Sequence, residues 1–262
     1  MTYIRLIIKF ILFLLHSLFF LLIGLVLPLA FLFVSKKNKR RFLSWLTKIW
    51  SISTLKILNV KIFADLTYYN KNETYLIVGN HLSWLDAVIF GSFFKAQFIA
   101  KKEIASWPII GWLSKIGGTV FIDRTKITQG VKVASTLAKT LQLGSSVLIF
   151  PESKSSIGNK VLPFKPSLFL SAIEAGSKIL PVTLDFGTVD GKPFVTDEDK
   201  IKFSYFDDMT FAPHFLKFLT FKSFTMKLIT HSPIETTTGL DAKELALKSF
   251  QLVESGMESL KK

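Results

Sequence analysis

The first sixty positions are almost uniformly apolar or basic, and beyond them short apolar runs alternate with helical spacings. Residues 10–34 hold no Asp, Glu, Lys or Arg over 25 positions. As a helix that run is roughly 37 Å long, against a hydrocarbon core of about 30 Å. Arg5 and Lys9 precede it, and Lys36, Lys37, Lys39, Arg40 and Arg41 follow it. A cleaved signal peptide has a shorter apolar region, about 7–15 residues, ending in a small-residue cleavage site. This run is longer and no Ala-x-Ala pattern follows it, so it predicts a retained membrane segment. The heavier basic flank places Lys36 onward on the cytoplasmic side of the cell (inner) membrane. Pro28 leaves two geometries open, a spanning helix and one that enters and leaves on the same face. Residues 42–58 continue as an aromatic-rich amphipathic stretch. Trp45 and Trp50 suit the headgroup level and Lys48 and Lys56 suit anionic phosphates; a second helix packed on the core is an equal reading.

Residues 75–78 read as a buried strand entering a Gly79-Asn80 loop. Residues 97–100, 119–122, 147–150 and 179–184 read as further strands. Residues 132–143 and 168–175 have helix-like spacing, the second closed by Gly176. Phe224, Met226 and Leu228 alternate with Thr225 and Lys227 as another strand, residues 190–199 form a polar surface excursion, and an amphipathic helix runs from Asp241 to about Met257. This order predicts an α/β fold, a mixed and mostly parallel sheet flanked by helices, with an N-terminal membrane-associated helical segment. The boundary falls between residues 1–60, the anchor, and 61–262, the main domain.

Charge sharpens the picture of the anchor. The formal net charge is +14, the first acidic residue is Asp65, and the ten basic residues before it are unopposed. Beyond that point the balance is ordinary, with no basic stripe and no nucleic-acid motif. The excess therefore points to an anionic membrane surface, worth roughly 1 kcal/mol per juxtamembrane cation. The absence of cysteine removes disulfides, thiolate metal sites and cysteine nucleophiles. Without an H-x-x-x-H or a Gly-rich phosphate loop, neither a metal nor a nucleotide cofactor is expected.

The candidate chemistry sits in Asn80-His81-Leu-Ser83-Trp-Leu-Asp86. Ser83 and Asp86 have the spacing of a helix N-terminal cap. His and Asp five apart inside one helix would lie roughly 140° apart and would not meet. With a helix beginning near Ser83, His81 lies in the loop before it and Asp86 in the first turn, leaning back toward the N-terminus. The carboxylate then holds one imidazole nitrogen and leaves the other to take a proton from a hydroxyl. Read in isolation, the same residues are a cap and an ordinary loop histidine. A serine nucleophile at Ser83 lacks the G-x-S-x-G elbow. Gly118-x-x-Phe121-Ile-Asp123-Arg124 and Phe150-Pro151-Glu152 end two more strands, gathering a base, a guanidinium and a carboxylate at one sheet edge.

Together these motifs resemble the glycerolipid acyltransferase family, the 1-acylglycerol-3-phosphate (lysophosphatidic acid) acyltransferases of bacterial type. Asn80, His81, Ser83 and Asp86 match the family's N-H-x-S-x-x-D. Gly118, Phe121, Ile122, Asp123 and Arg124 match G-x-x-F-I-D-R, and Phe150, Pro151, Glu152 and Ser156 match part of F-P-E-G-T-R-S. The run ending in Pro181-Val182 is similar to the fourth motif, and Lys101 with the Trp107–Trp112 segment to the stretch between the first two. The resemblance covers roughly residues 70–185. It implies direct acyl transfer from acyl-CoA or acyl carrier protein to the free hydroxyl of a lysolipid. In that picture His81 is general base and Asp86 its orienting partner. Asn80, Ser83, Lys101, Arg124, Glu152, Ser153 and Lys154 are expected at the substrate, with a backbone N–H near Ser83 facing the developing oxyanion. Ser153, Lys154 and Ser155 replace the Gly, Thr and Arg of the third motif. The residues that follow, up to Lys165, are similar to a branch that includes lyso-ornithine-lipid acyltransferases, so the acceptor headgroup stays open between the two. A catalytically silent membrane scaffold of the same fold is a third reading.

Overall fold

A computed structural model of the chain describes residues 2–122, 129–206, 209–239 and 241–261. In chain order the elements are α1 (Thr2–Ala30), α2 (Lys36–Leu58), β1 (Val60–Asp65), β2 (Tyr75–Gly79), α3 (Leu85–Phe93) and β3 (Ala96–Lys101). Next come α4 (Ile110–Ile116), β4 (Val120–Ile122), α5 (Gln129–Gln142), β5 (Ser146–Ile149), α6 (Leu170–Ala175) and β6 (Lys178–Val189). The chain closes with β7 (Lys192–Pro193), α7 (Asp197–Ile201), α8 (Phe211–Leu219), β8 (Phe224–Thr230) and α9 (Ala242–Lys261).

The sheet has the order β1-β8-β6-β2-β5-β3-β4, with β7 paired to β6. Among the described strands only β8 and β7 run antiparallel to β6; the other neighbours are parallel. β2 is buried along its whole length, as an apolar run covered on both faces requires. Its side chains alternate: Tyr75 and Ile77 enter a core with α2, α3 and α8, while Leu76 and Val78 enter a second core with α5, α6 and α9. Because β2, β3, β4 and β5 are parallel, their carboxyl ends share one edge, where open α/β sheets hold their ligands.

The N-terminal helices are not a detachable segment. Phe13, Leu55 and Leu58 belong to the same core as Leu82, Ile89 and Phe90. α2 starts at Ser35, whose hydroxyl accepts the Asn38 amide, and stops at Asn59 in the left-handed conformation. Lys9 donates to the carbonyls of Leu58 (2.6 Å) and Phe221 (2.8 Å), and Arg5 to that of Thr220 (2.8 Å). The cations of α1 thus satisfy carbonyls at the C-terminal ends of α2 and α8, which have no partner within their own helices. Along the pair Lys9 meets Leu58, His16 meets Ser53 and Phe31 meets Phe42. α1 and α2 are therefore an antiparallel hairpin whose two ends return to the sheet domain and whose bend carries Leu32 and the fully exposed Phe33. Residues 2–27 of α1 are long and apolar enough to cross a membrane, with most of that face uncovered by protein. Of the two readings of residues 42–58, the helix packed on the core is the one found, with Leu55 and Leu58 buried.

Candidate active site

At the end of β2 the chain leaves the sheet through Asn80. Its side-chain amide donates to Leu184 O and accepts from Leu184 N–H, both at 2.8 Å, imitating a peptide of the ladder it replaces. An amide can do both, and a carboxylate could only accept. The next residue is clamped from beneath. The His81 N–H donates to Glu152 Oε1 (2.8 Å), the Leu162 N–H to Glu152 Oε2 (3.1 Å), and the His81 carbonyl accepts the Ser156 N–H (2.9 Å). Burial pushes the Glu152 carboxyl up to about 8, outweighing its two amide donors, and the nearby Asp86 charge adds to the rise.

The imidazole of His81 stacks on Phe150, with centroids 4.2 Å apart and planes within 9°. Its Nδ1–H donates to Asp86 Oδ2 at 2.7 Å. The same oxygen accepts the backbone N–H of Leu82 (2.5 Å) and Ser83 (2.8 Å). Asp86 is fully buried, so every donor on its carboxylate comes from the protein. With Nδ1 bonded to Asp86, Nε2 is the ring nitrogen left without a hydrogen bond among the described residues. The ring retains 23% of its accessible surface and faces a cavity.

That cavity holds about 810 Å³ and is walled mainly by apolar side chains. Phe13 and Phe20 come from α1, Leu46 and Trp50 from α2, Val88 from α3, Leu113 from α4 and Phe215 from α8. Lys101, Glu103, Ser153 and Lys154 lie among its polar lining. Trp84 forms part of the wall, and its indole N–H donates to His214 Nδ1 (3.1 Å), whose Nε2–H donates to Ser204 O (3.0 Å). Both nitrogens of His214 are thereby used in the neutral ring, and burial lowers its pKa.

The structure brings His81 and Asp86 together as the spacing requires, with two differences in detail. The helix begins at Leu85 and not at Ser83, and the Ser83 hydroxyl is only 3.5 Å from the Leu85 amide. Asp86 itself organises the turn by reaching back to two upstream amides, as the acidic member of a capping box does. Those bonds also occupy the Leu82 and Ser83 amides that were candidates for an oxyanion, and the Asp86 amide donates to Ser83 O.

Three residues expected at the substrate are placed elsewhere. Asn80 and Ser83 are buried and do not line the cavity; both oxygens of Glu152 face amides. Asn80 and Glu152 are scaffolds for the His81 loop, because their polar side-chain atoms are bonded to backbone groups of the protein. Lys101, Ser153 and Lys154 do line it, whereas Asp123 and Arg124 lie outside the described residues. Ser153 adopts φ +65°, a left-handed conformation that favours glycine, at the position where the third motif carries Gly. Ser155 lines the cavity too, with its hydroxyl donating to Tyr205 O. The Phe150 stack, the Trp84–His214 pair and the contributions of α1 and α2 were absent from the sequence reading. Only Phe150 and Trp84 had a signal, since both lie inside the motifs.

A family model described as Acyltransferase matches residues 62–185. The chain is 43% identical over 117 residues to the 1-acyl-sn-glycerol-3-phosphate acyltransferase of Neisseria gonorrhoeae, covering 45% of this chain and 46% of that protein. It is 33% identical over 186 residues to the lyso-ornithine lipid O-acyltransferase of Rhodobacter capsulatus, covering 69% and 65%. With the lyso-ornithine lipid O-acyltransferase of Brucella abortus it shares 29% identity over 89% of each chain. The chain spans about half the length of the first of these relatives. The crystal structure of the 1-acyl-sn-glycerophosphate (LPA) acyltransferase from Thermotoga maritima superposes with a TM-score of 0.72 at 22% identity, over 100% of this chain and 98% of that one, a likeness of fold.

Proposed function

This chain belongs to the acyltransferase family, and on that premise we propose that it transfers a fatty acyl group from a thioester donor to the free hydroxyl of a lysolipid. The observation that carries the reading is the His81–Asp86 pair, bonded at 2.7 Å, on the wall of the 810 Å³ apolar cavity. A chain buried there gains about 0.8 kcal/mol per methylene, which suits a lipid and no polar metabolite of similar size.

The acceptor hydroxyl gives its proton to His81 Nε2 while its oxygen attacks the thioester carbonyl carbon. Asp86 stabilises the imidazolium that forms. The carbon–sulfur bond then breaks, the thiolate takes the proton from Nε2, and an ester and a free thiol leave. No acyl-enzyme is needed, because a thioester is already activated and positioning supplies much of the rate. With the Leu82 and Ser83 amides occupied, the Trp84 amide is the remaining donor of that loop for the oxyanion.

The donor is acyl-CoA or acyl carrier protein. The acceptor is 1-acylglycerol-3-phosphate, yielding phosphatidic acid, with Lys101 and Lys154 in the cavity lining offering cationic contacts to its phosphate. A second acceptor, a lyso-aminolipid such as lyso-ornithine lipid, is favoured by the Glu103 carboxylate in the same cavity lining and by the loss of the third motif's guanidinium at Ser155. The α1–α2 hairpin supports attachment to one face of the cell (inner) membrane, cytoplasmic by its basic residues, against anionic lipid. The test is acyl transfer by the purified full chain to a panel of lysolipids. His81→Ala should lower turnover by about 10²–10⁴-fold without loss of fold or vesicle binding. Full activity in a folded His81→Ala protein refutes the reading, and the preferred lysolipid decides the headgroup.

A further inference from the structure

Asp86 and Glu152 fix His81 from within its own loop and from the sheet, but the residues just after it are held from the far side of the cavity. Residues 204–206, between α7 and α8 in the chain, bring Tyr205 and Phe206 to the cavity wall. The Tyr205 N–H donates to Leu82 O (3.1 Å), and the Tyr205 carbonyl accepts the Ser155 hydroxyl. One short segment thereby joins the loop of the first motif to that of the third. Two residues after Leu82, the Trp84 indole N–H donates to His214 Nδ1 (3.1 Å), and His214 Nε2–H returns to Ser204 O (3.0 Å). These bonds close a ring: Leu82, Ser83, Trp84, His214, Ser204 and Tyr205 follow one another through peptide or hydrogen bonds. The peptide joining Ser83 to Trp84 lies within that ring, and its N–H is the donor of the loop left for the oxyanion.

The closing residue has to accept at one end and donate at the other, because an indole N–H only donates and a peptide carbonyl only accepts. A neutral imidazole with its proton on Nε2 does both, so the two partners set the tautomer. The rest of the Trp84 surroundings are apolar. The rings of Phe211, Phe215 and Phe218 stand edge-on to the indole with centroids 5.5–5.7 Å away, and without His214 the indole N–H has no acceptor there. Phe211 and Phe215 line the cavity as Trp84 does, so the same bond fixes the wall as well as the loop. A proton on Nδ1 sets N–H against N–H and opens the ring. The groups that face His214 are the Trp84 indole, the Phe203 and Ser204 carbonyls, the Tyr205 ring at 5.4 Å and Lys217 of its own helix. Burial lowers its pKa from 6.5, and the Lys217 charge works in the same direction.

We propose that His214 is a positioning residue for acyl transfer: as the neutral imidazole it closes the ring that fixes the Ser83 to Trp84 peptide and the Trp84 wall beside His81. The proposal rests on the acyltransferase reading above. His214 acts through Trp84 and is not itself part of the cavity lining. With the ring open, the loop donor is no longer preorganised for the charge that develops on the carbonyl oxygen. The loss therefore falls on kcat more than on KM.

The experiment uses the full-length protein in phosphatidylcholine nanodiscs. The donor is a tetradecanoyl thioester, as CoA and as carrier-protein ester, and the acceptor is 1-acylglycerol-3-phosphate or lyso-ornithine lipid. His214→Leu and Trp84→Phe should each lower kcat by about tenfold, the worth of one to two neutral hydrogen bonds, with a smaller change in lysolipid KM. The double variant should lose no more than the worse single one, because both substitutions break the same link. In the wild-type protein His214 should add one ionisation below pH 6.5 to the acid limb of kcat, and His214→Leu should remove it. The Trp84 indole N–H resonance, assigned by its loss in Trp84→Phe, should shift over the same pH range. That measurement decides the matter even where His214→Leu does not fold. Losses that multiply in the double variant, or an acid limb unchanged by His214→Leu, reduce His214 to a structural residue and overturn the proposal. Full kcat in a folded His214→Leu protein, or an indole resonance indifferent to pH, overturns it too. No turnover by the wild-type protein with any donor and acceptor overturns the acyltransferase reading and the proposal with it.

Discussion

Glu152 offers a discriminating test, because its expected role at the headgroup and its observed role beneath His81 make opposite demands. Its two oxygens hold the amides of His81 and Leu162. Glutamine keeps one acceptor and presents an N–H₂ to the other amide, a loss of about 1–3 kcal/mol for a mispaired buried group. The pH dependence carries a sign. In the folded protein burial lifts the carboxyl from 4.5 to about 8, so between those values the folded state binds a proton that the unfolded chain releases. Stability from this group is complete below pH 4.5 and declines as pH rises toward 8. The full span is about 5 kcal/mol at 1.36 kcal/mol per pKa unit. Glu152→Gln does not titrate, so its deficit relative to wild type should be largest near pH 5 and shrink by several kcal/mol near pH 8. Denaturant unfolding in detergent at pH 5, 6.5 and 8, with lysolipid KM measured alongside, is the assay. A deficit that is constant with pH refutes the burial argument. Unchanged stability with a raised KM would return Glu152 to the headgroup.

Asp86→Asn keeps an acceptor for the His81, Leu82 and Ser83 N–H groups but removes the charge that stabilises the imidazolium. It should fold and lose about 10²–10³-fold in kcat, from a charge-assisted bond reduced to a neutral one; wild-type turnover would show that the carboxylate only caps the helix. Ser153→Gly relieves a left-handed φ of +65° and should stabilise the protein by about 1 kcal/mol, read as a rise in Tm; a fall refutes the strain. His214 is held neutral by burial, its pKa lowered, so its contribution is complete above about 6.5, its unfolded value, and is lost as pH falls through its folded value. Protonation also ends its acceptance of the Trp84 N–H. His214→Leu should therefore weaken the dependence of stability on pH below neutrality, and an unaltered acid profile would exclude the link.

The His81–Asp86 pair was legible because its logic is local: two residues five apart, a strand before them and a helix after. β2, β5 and β6 were legible as short apolar runs. β1 was not, since Val60–Asp65 follows an amphipathic helix with only Asn59 between them, and that residue stops the helix through a left-handed conformation invisible in the letters. Glu152 was placed with the substrate because motif residues are read as ligands, whereas its partners, the amides of His81 and Leu162, lie 71 and 10 positions away. The cavity was out of reach for the same reason. Its walls join Phe13, Trp50, Val88 and Phe215, and only the folded chain makes them neighbours.

The two cations of the first helix have a practical consequence. Arg5 and Lys9 cap carbonyls that belong to the C-terminal half of the chain, and α2 walls the same cavity that His81 faces. Trimming the chain to start at β1 would therefore strip α3 bare, uncap α8 and open the cavity along one side. Purification has to carry the hairpin along, in detergent or nanodisc, because the most apolar part of the chain also walls the cavity that His81 faces.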